Sequence, residues 1–133
     1  MNTYPQEYRI KNFKPSEFDC SCKTAFCDKN KMNNSFVKML DMARDKARTP
    51  FKINSGYRCK TKQAILYNKG ISSKTKSSHQ LGIAADIAIP GDATRSKIMW
   101  GLIRVGFTRF GIGKTWIHVD MDHSKNMNRI WVY

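Results

Sequence analysis

Apolar positions along the chain change their period partway through. Phe36, Leu40, Ala43 and Ala47 recur at helical spacing, so Ser35 is expected to open a helix that Pro50 ends. Phe51–Asn54 reads as a short strand leading into the turn Ser55-Gly56-Tyr57-Arg58. A second helix is expected from Thr61, as N-cap, to Gly70 at its C-terminal end, followed by a polar loop over 71–78. From Ile83 the period falls to two. Ile83, Ala85, Ile87 and Ile89 face one way and Ala84, Asp86 and Ala88 the other, the pattern of a strand with one buried face. Asp92 is expected to cap a third helix with Ile98, Leu102 and Val105 on its apolar side and Gly106 as its stop. Phe107–Ile112, Trp116–Asp122 and Ile130–Tyr133 read as closing strands. Helices early and strands late predict an α+β fold, helices packed on a central antiparallel sheet, over a doubly wound one.

The length of 133 residues suits a single domain spanning 1–133, whose first 32 residues look irregular and carry three of the four cysteines. The segment Met1 to Phe13 is polar and lacks the apolar centre of a secretory signal. The longest apolar run, around Ile83 to Pro90, is interrupted by Asp86 and too short to span a bilayer. Membrane insertion is therefore not expected, and a monomer made in the cytoplasm is. The net charge of +14, from 24 basic and 10 acidic residues, predicts attraction to a polyanion. Nucleic acid and an anionic cell envelope both fit that charge. No helix-turn-helix, RNA-recognition motif or paired zinc finger accompanies it, so specific nucleic-acid binding is not expected.

Trp116–Asp122, as a strand, puts Ile117, Val119 and Met121 on a core face and Trp116, His118, Asp120 and Asp122 on the other. An imidazole beside two carboxylates is costly to bury unless a metal or a substrate uses them. The second polar cluster is His79, Gly82 and Asp86. Gly82 allows the chain to fold back so that His79, on a turn, meets Asp86 on the strand. Two imidazoles and one carboxylate are a frequent three-ligand set for catalytic zinc, with a fourth position left for water. Such a water becomes acidic enough to act as a nucleophile near neutral pH. Asp120, two residues from His118 on the same strand face, is the carboxylate best placed to take its proton. Asp122 and His123 read as surface residues after the strand and are left out of the catalytic set. Trp100, Trp131 and Tyr133 read as core or C-terminal packing.

These residues carry a family resemblance. Ser77-x-His79-x-x-Gly82-x-Ala84-x-Asp86, followed by His118-x-Asp120, resembles the M15 family of zinc D-Ala-D-Ala peptidases, and within it a small carboxypeptidase A-like branch found in bacteria and phages. Ser55-Gly56-Tyr57-Arg58 is similar to an upstream element of that family, and Gly111-Ile112-Gly113 before Trp116 to its closing segment. The likeness covers roughly residues 13 to 133. It implies a hedgehog/D-Ala-D-Ala-peptidase-like fold, one zinc held by His79, Asp86 and His118, and hydrolysis of peptidoglycan peptides next to D-amino acids. It also implies that Arg58 binds substrate and steadies the oxyanion, and that Ser78 is a weaker supporting contact. Several branches place an acidic base three residues before the last histidine; here that residue is Thr115.

Cys20, Cys22, Cys27 and Cys59 read as buried or free thiols, with a second, structural metal as the lesser reading because the spacing departs from paired CxxC. The function expected is an endolysin-like peptidase, holin-released or virion-associated, that acts at the cell wall, where charge adds affinity for anionic envelope polymers. The alternative is a non-catalytic zinc module that binds cell wall or a protein.

Overall fold

The computed structural model describes residues 8–72 and 76–133. The first seven residues of the polar N-terminus, and 73–75 of the polar loop, lie outside the described residues.

Three helices and five strands follow in the order α1 (Asn34–Ala47), β1 (Ile53–Ser55), α2 (Lys60–Asn68), β2 (Ala84–Ala88), α3 (Asp92–Arg104), β3 (Arg109–Ile112), β4 (Trp116–Asp120) and β5 (Arg129–Val132). The helix starts differ from those read in the sequence, because capping depends on which side chain reaches a free amide. Asn33, not Ser35, caps α1, its Oδ1 accepting from Phe36 N at 2.9 Å. Cys59 caps α2 through its sulfur, ahead of Thr61. Asp92 is the first residue of α3 rather than its cap; Gly91 holds that place with no side-chain bond. Just past the last turn of α1 the backbone turns left-handed at Arg48 (φ 53°), so the helix stops before Pro50.

The strands form one sheet in the order β1-β2-β4-β3-β5. The first four pair antiparallel, as expected, but β5 runs parallel to β3. The physical reason is the route of residues 121–128. They leave β4 and cross the end of β3, so that Arg129 N binds Thr108 O at 3.0 Å beyond it. The sheet is therefore mixed, a feature that strand periodicity does not encode.

One face of the sheet is dry. Ala85, Ile87, Phe110, Ile117 and Val119 pack there against Phe36, Leu40 and Ala43 of α1 and Ile98 and Leu102 of α3. Asp41 of α1 is fully buried at the edge of this core. It accepts from Tyr8 Oη at 2.7 Å and from the amides of Lys11 and Asn12, tying the N-terminal segment to the helix. Among the described residues no helix is long and apolar enough to cross a membrane.

Candidate metal centre

The opposite face of β2 and β4 carries the chemistry. Antiparallel register sets Asp86 directly across from His118, and Ala84 across from Asp120. Directly opposed residues point to the same side of a sheet with their Cβ atoms about 5 Å apart. His79 arrives from a single 3-10 turn, Ser78–Leu81, closed by Ser77 and Gln80 in a capping box. Gly82 then reverses the chain with φ at 72°, and a Cβ there would lie 2.0 Å from the carbonyl oxygen of Lys31. Conformation and space both demand glycine at this point.

The result is a tight triad. His79 Nε2 lies 3.4 Å and His118 Nδ1 3.0 Å from Asp86 Oδ1, with the imidazoles edge-to-face at 5.2 Å. The other ring nitrogens identify the tautomers. His79 Nδ1 sits 2.7 Å from the carbonyl oxygen of Gly56, which only accepts, so Nδ1 carries a proton. His118 Nε2 sits 2.8 Å from Asp120 Oδ2 and donates to it. When neutral, each ring keeps a lone pair on the nitrogen that faces Asp86, as ligands of a shared cation would; without a cation, a protonated His118 donates from Nδ1 to Asp86 instead. All three ligating atoms fall within 4.8 Å of one another. Tetrahedral zinc with bonds near 2.0–2.1 Å needs its ligand atoms about 3.3 Å apart, so the residues fit that ion.

Titration follows the same geometry. Burial pushes His79 below its ordinary value, against the pull of Asp86. Burial acts likewise on His118, but hydrogen bonds to Asp120 and Asp86 outweigh it and raise its pKa. Burial would raise Asp86; the two imidazoles instead hold it well below the usual carboxylate range. Asp120, whose burial works the same way, is held at about 2 by His118 and Arg109.

Around the triad, the expected site residues take distinct places. Arg58 is braced by Ser55 Oγ at 3.1 Å and by Gln63 Oε1 at 3.3 Å, and its Nη2 lies 3.3 Å from Asp86 Oδ2. Asp120 does not turn a free oxygen to the cavity. Oδ2 faces His118, while Oδ1 accepts from Arg109 Nε at 2.7 Å and from Asp122 N at 3.0 Å. Ser78 is buried, giving its proton to Asp122 Oδ2 at 2.7 Å and accepting from Lys125 Nζ at 2.8 Å. Asp122, expected at the surface, is buried by this contact, whereas His123 is exposed.

The C-terminal aromatics correct another expectation. Trp131 and Tyr133 leave the core and line a cavity of about 1120 Å³ with the triad, Arg58, Lys125 and Arg129. Trp131 leans on the His118 ring at 5.7 Å between centroids, and the Arg109 guanidinium lies over its face at 5.0 Å. Gly111 makes the room, since a Cβ there would meet Trp131 Nε1 and Tyr133 Cε2 at 2.7 Å. Trp100 is 58% exposed and belongs neither to core nor to cavity. Gln63, Arg109, Lys125 and the β5 aromatics were not singled out from the sequence as site residues. Arg109 alone left a trace, since it alternates with Phe110 on a strand that pairs with β4.

His79 on its turn and Asp86 and His118 on the sheet form a candidate metal centre, backed by the Asp120 carboxylate and faced by Arg58. The family model described as Peptidase M15 matches residues 11–120, and the chain belongs to that family of zinc-dependent peptidases. Among solved structures, the fold is similar to that of the Serratia marcescens L-Ala D-Glu endopeptidase ChiX, with a TM-score of 0.57 and 19% identity. That similarity covers 70% of this chain and 82% of the other. No curated protein matches significantly.

Proposed function

We propose that the chain is a zinc endopeptidase that cuts peptidoglycan stem peptides next to D-amino acids. One observation carries the reading: His79, Asp86 and His118 converge beneath a wide cavity into which Arg58 also faces. Family membership supplies the peptidase class, and the name of the similar Serratia enzyme points to the same kind of substrate. A cavity of about 1120 Å³ lies at the upper end of the roughly 300–1,000 Å³ typical of small-ligand pockets, room for more than one residue of a peptide. Lys125 and Arg129 in its lining suit the carboxylates of stem peptides, and the overall charge of +14 suits an anionic envelope. An endolysin role, with release by a holin or delivery on a virion, accords with that charge.

Zinc, held by His79, Asp86 and His118, would polarise the scissile carbonyl and acidify water. The chain's own groups orient the ligands and meet the charge that develops. Gly56 O and Asp120 fix the two imidazoles in the tautomers that leave a lone pair each for the ion. Arg58, held on two sides, presents its guanidinium to negative charge that develops on the substrate. Asp120 acts here as the group that orients and charge-balances His118, in place of the general base expected from its spacing. Ser78 holds Asp122 and Lys125 at the rim instead of meeting substrate.

A second reading is the non-catalytic wall-binding module. Its supporting observation is that Asp120 has both oxygens engaged while Thr115 stands where family branches carry an acid. Digestion of purified sacculi, with mass spectrometry of the products and a chelator control, decides between them. Chelator-sensitive release of fragments cut inside the stem peptide supports the endopeptidase; loss of terminal D-Ala alone makes it a carboxypeptidase. If zinc-loaded protein binds sacculi and releases nothing, the module reading holds.

A further inference from the structure

The described residues bring a second set of ligating atoms together, on the other side of the Ser55–Cys59 turn. Cys20, Cys22, Cys27 and Cys59 come from two segments far apart in sequence, yet their four sulfurs lie within 4.8 Å of one another. Cys22 Sγ and Cys59 Sγ are 3.3 Å apart. A tetrahedral zinc site with Zn–S bonds near 2.3 Å spaces its sulfurs by about 3.8 Å, so the cluster has the dimensions of one closed shell. Backbone amides converge on it as well. Cys59 N donates to Cys20 Sγ at 3.4 Å, Lys29 N to Cys27 Sγ at 3.3 Å and Lys62 N to Cys59 Sγ at 3.4 Å. Amide donors aimed at sulfur favour thiolates over neutral thiols. Lys23, Lys29, Lys31, Lys60 and Lys62 lie within four residues of one of these cysteines in sequence. Cys20 and Cys59 are buried while Cys22 and Cys27 are half-buried, which leaves one side for an ion to enter.

We propose that these four cysteines hold a structural zinc ion as a tetrathiolate. Four protein sulfurs complete the tetrahedron and leave no open position, so the site braces the fold and does no chemistry. Sulfur-only tetrahedral sites select zinc or iron, and one compact shell takes a single ion. What it braces is specific. Tyr57 N binds Phe18 O at 2.9 Å, and Cys20 N binds Lys29 O at 2.7 Å, so the N-terminal segment is laced to the turn on which Cys59 stands. The same turn presents Gly56 O to His79 Nδ1, and Arg58 N donates to His79 O at 3.2 Å. The ion thus pins the segment that positions both Arg58 and the His79 ring.

The test uses the full chain, purified under reducing conditions, and a His79→Ala/His118→Ala variant that lacks the other centre. Two zinc ions per wild-type chain and one per variant chain are expected. Cobalt(II) added to the metal-free variant should give thiolate-to-cobalt charge-transfer bands with tetrahedral visible bands. A Cys22→Ser/Cys27→Ser variant should keep one zinc in the His-Asp-His centre; should it fail to fold, the histidine variant decides by itself. A histidine variant that binds no zinc and gives no sulfur-cobalt bands overturns the proposal. So does an intact mass lighter by four hydrogens, the signature of two disulfides, or iron found in place of zinc. None of these readouts depends on peptidase activity, so the proposal stands or falls apart from the assigned reaction.

Discussion

The two faces of the sheet are built from alternate residues of the same two strands, and they store free energy in opposite ways. On the dry face, Ala85, Ile87, Ile117 and Val119 are fully buried among apolar neighbours. Each contributes through area removed from water and contacts that a smaller side chain would forfeit. On the other face, Asp86, His118 and Asp120 gather charges and lone pairs that tolerate burial only through one another and through a cation. The first face holds the fold; the second is held by it. Side chains 3.3 Å apart along one backbone can thus be assigned to stability or to function by parity alone.

That division can be broken experimentally. The largest effect is expected from His118→Ala, which should lose the zinc of the His-Asp-His centre and all detectable release from sacculi, while the protein still melts cooperatively by circular dichroism. Arg58→Ala should keep its zinc but lower kcat by about 10²–10³-fold, as removal of an oxyanion donor does; an unchanged kcat would make Arg58 a purely structural residue. On the dry face, Ile117→Ala should cost about 2–5 kcal/mol in urea unfolding, with specific activity of the folded fraction kept. Asp120→Asn should weaken zinc binding by about 10–100-fold, measured by competition with a chromophoric chelator. A far larger loss in kcat than in zinc affinity would instead restore Asp120 as base. The smallest effect belongs to Trp131→Ala, expected to raise KM by about 2–10-fold through the lost aromatic contact.

Acid titration sharpens the Asp120 assignment. Its folded pKa of about 2 lies below the unfolded value near 3.9, so its contribution is complete above that unfolded value. It is lost as pH falls through about 2. The metal-free protein should therefore lose stability across roughly pH 4 to 2, and Asp120→Asn should flatten that slope. His118 carries the opposite sign. Its raised pKa stabilises the metal-free fold at acid pH and fades as pH rises through that pKa, where the neutral ring becomes free to take zinc.

Much of this was legible in the chain itself. The period-two runs from Ile83 and from Trp116 stated which residues share a face, because side-chain alternation is a property of any strand. Gly82 between His79 and Asp86 signalled the reversal, since a left-handed turn restricts residue choice. The triad followed from those two facts. Sequence could not state that Asp120's second oxygen meets Arg109, that Gln63 braces Arg58, or that Asp41 anchors the N-terminal segment. Nor could it show that β5 lies parallel beside β3 and leans Trp131 over His118. The same holds for the cysteines. Their spacing left a second metal as the lesser reading, and only the fold brings Cys59, 37 residues after Cys22, to 3.3 Å from it. Local pattern is fixed by the covalent geometry of neighbouring residues. Partners distant in sequence depend on strand order, crossover route and register, and those are settled only when the whole core packs at once.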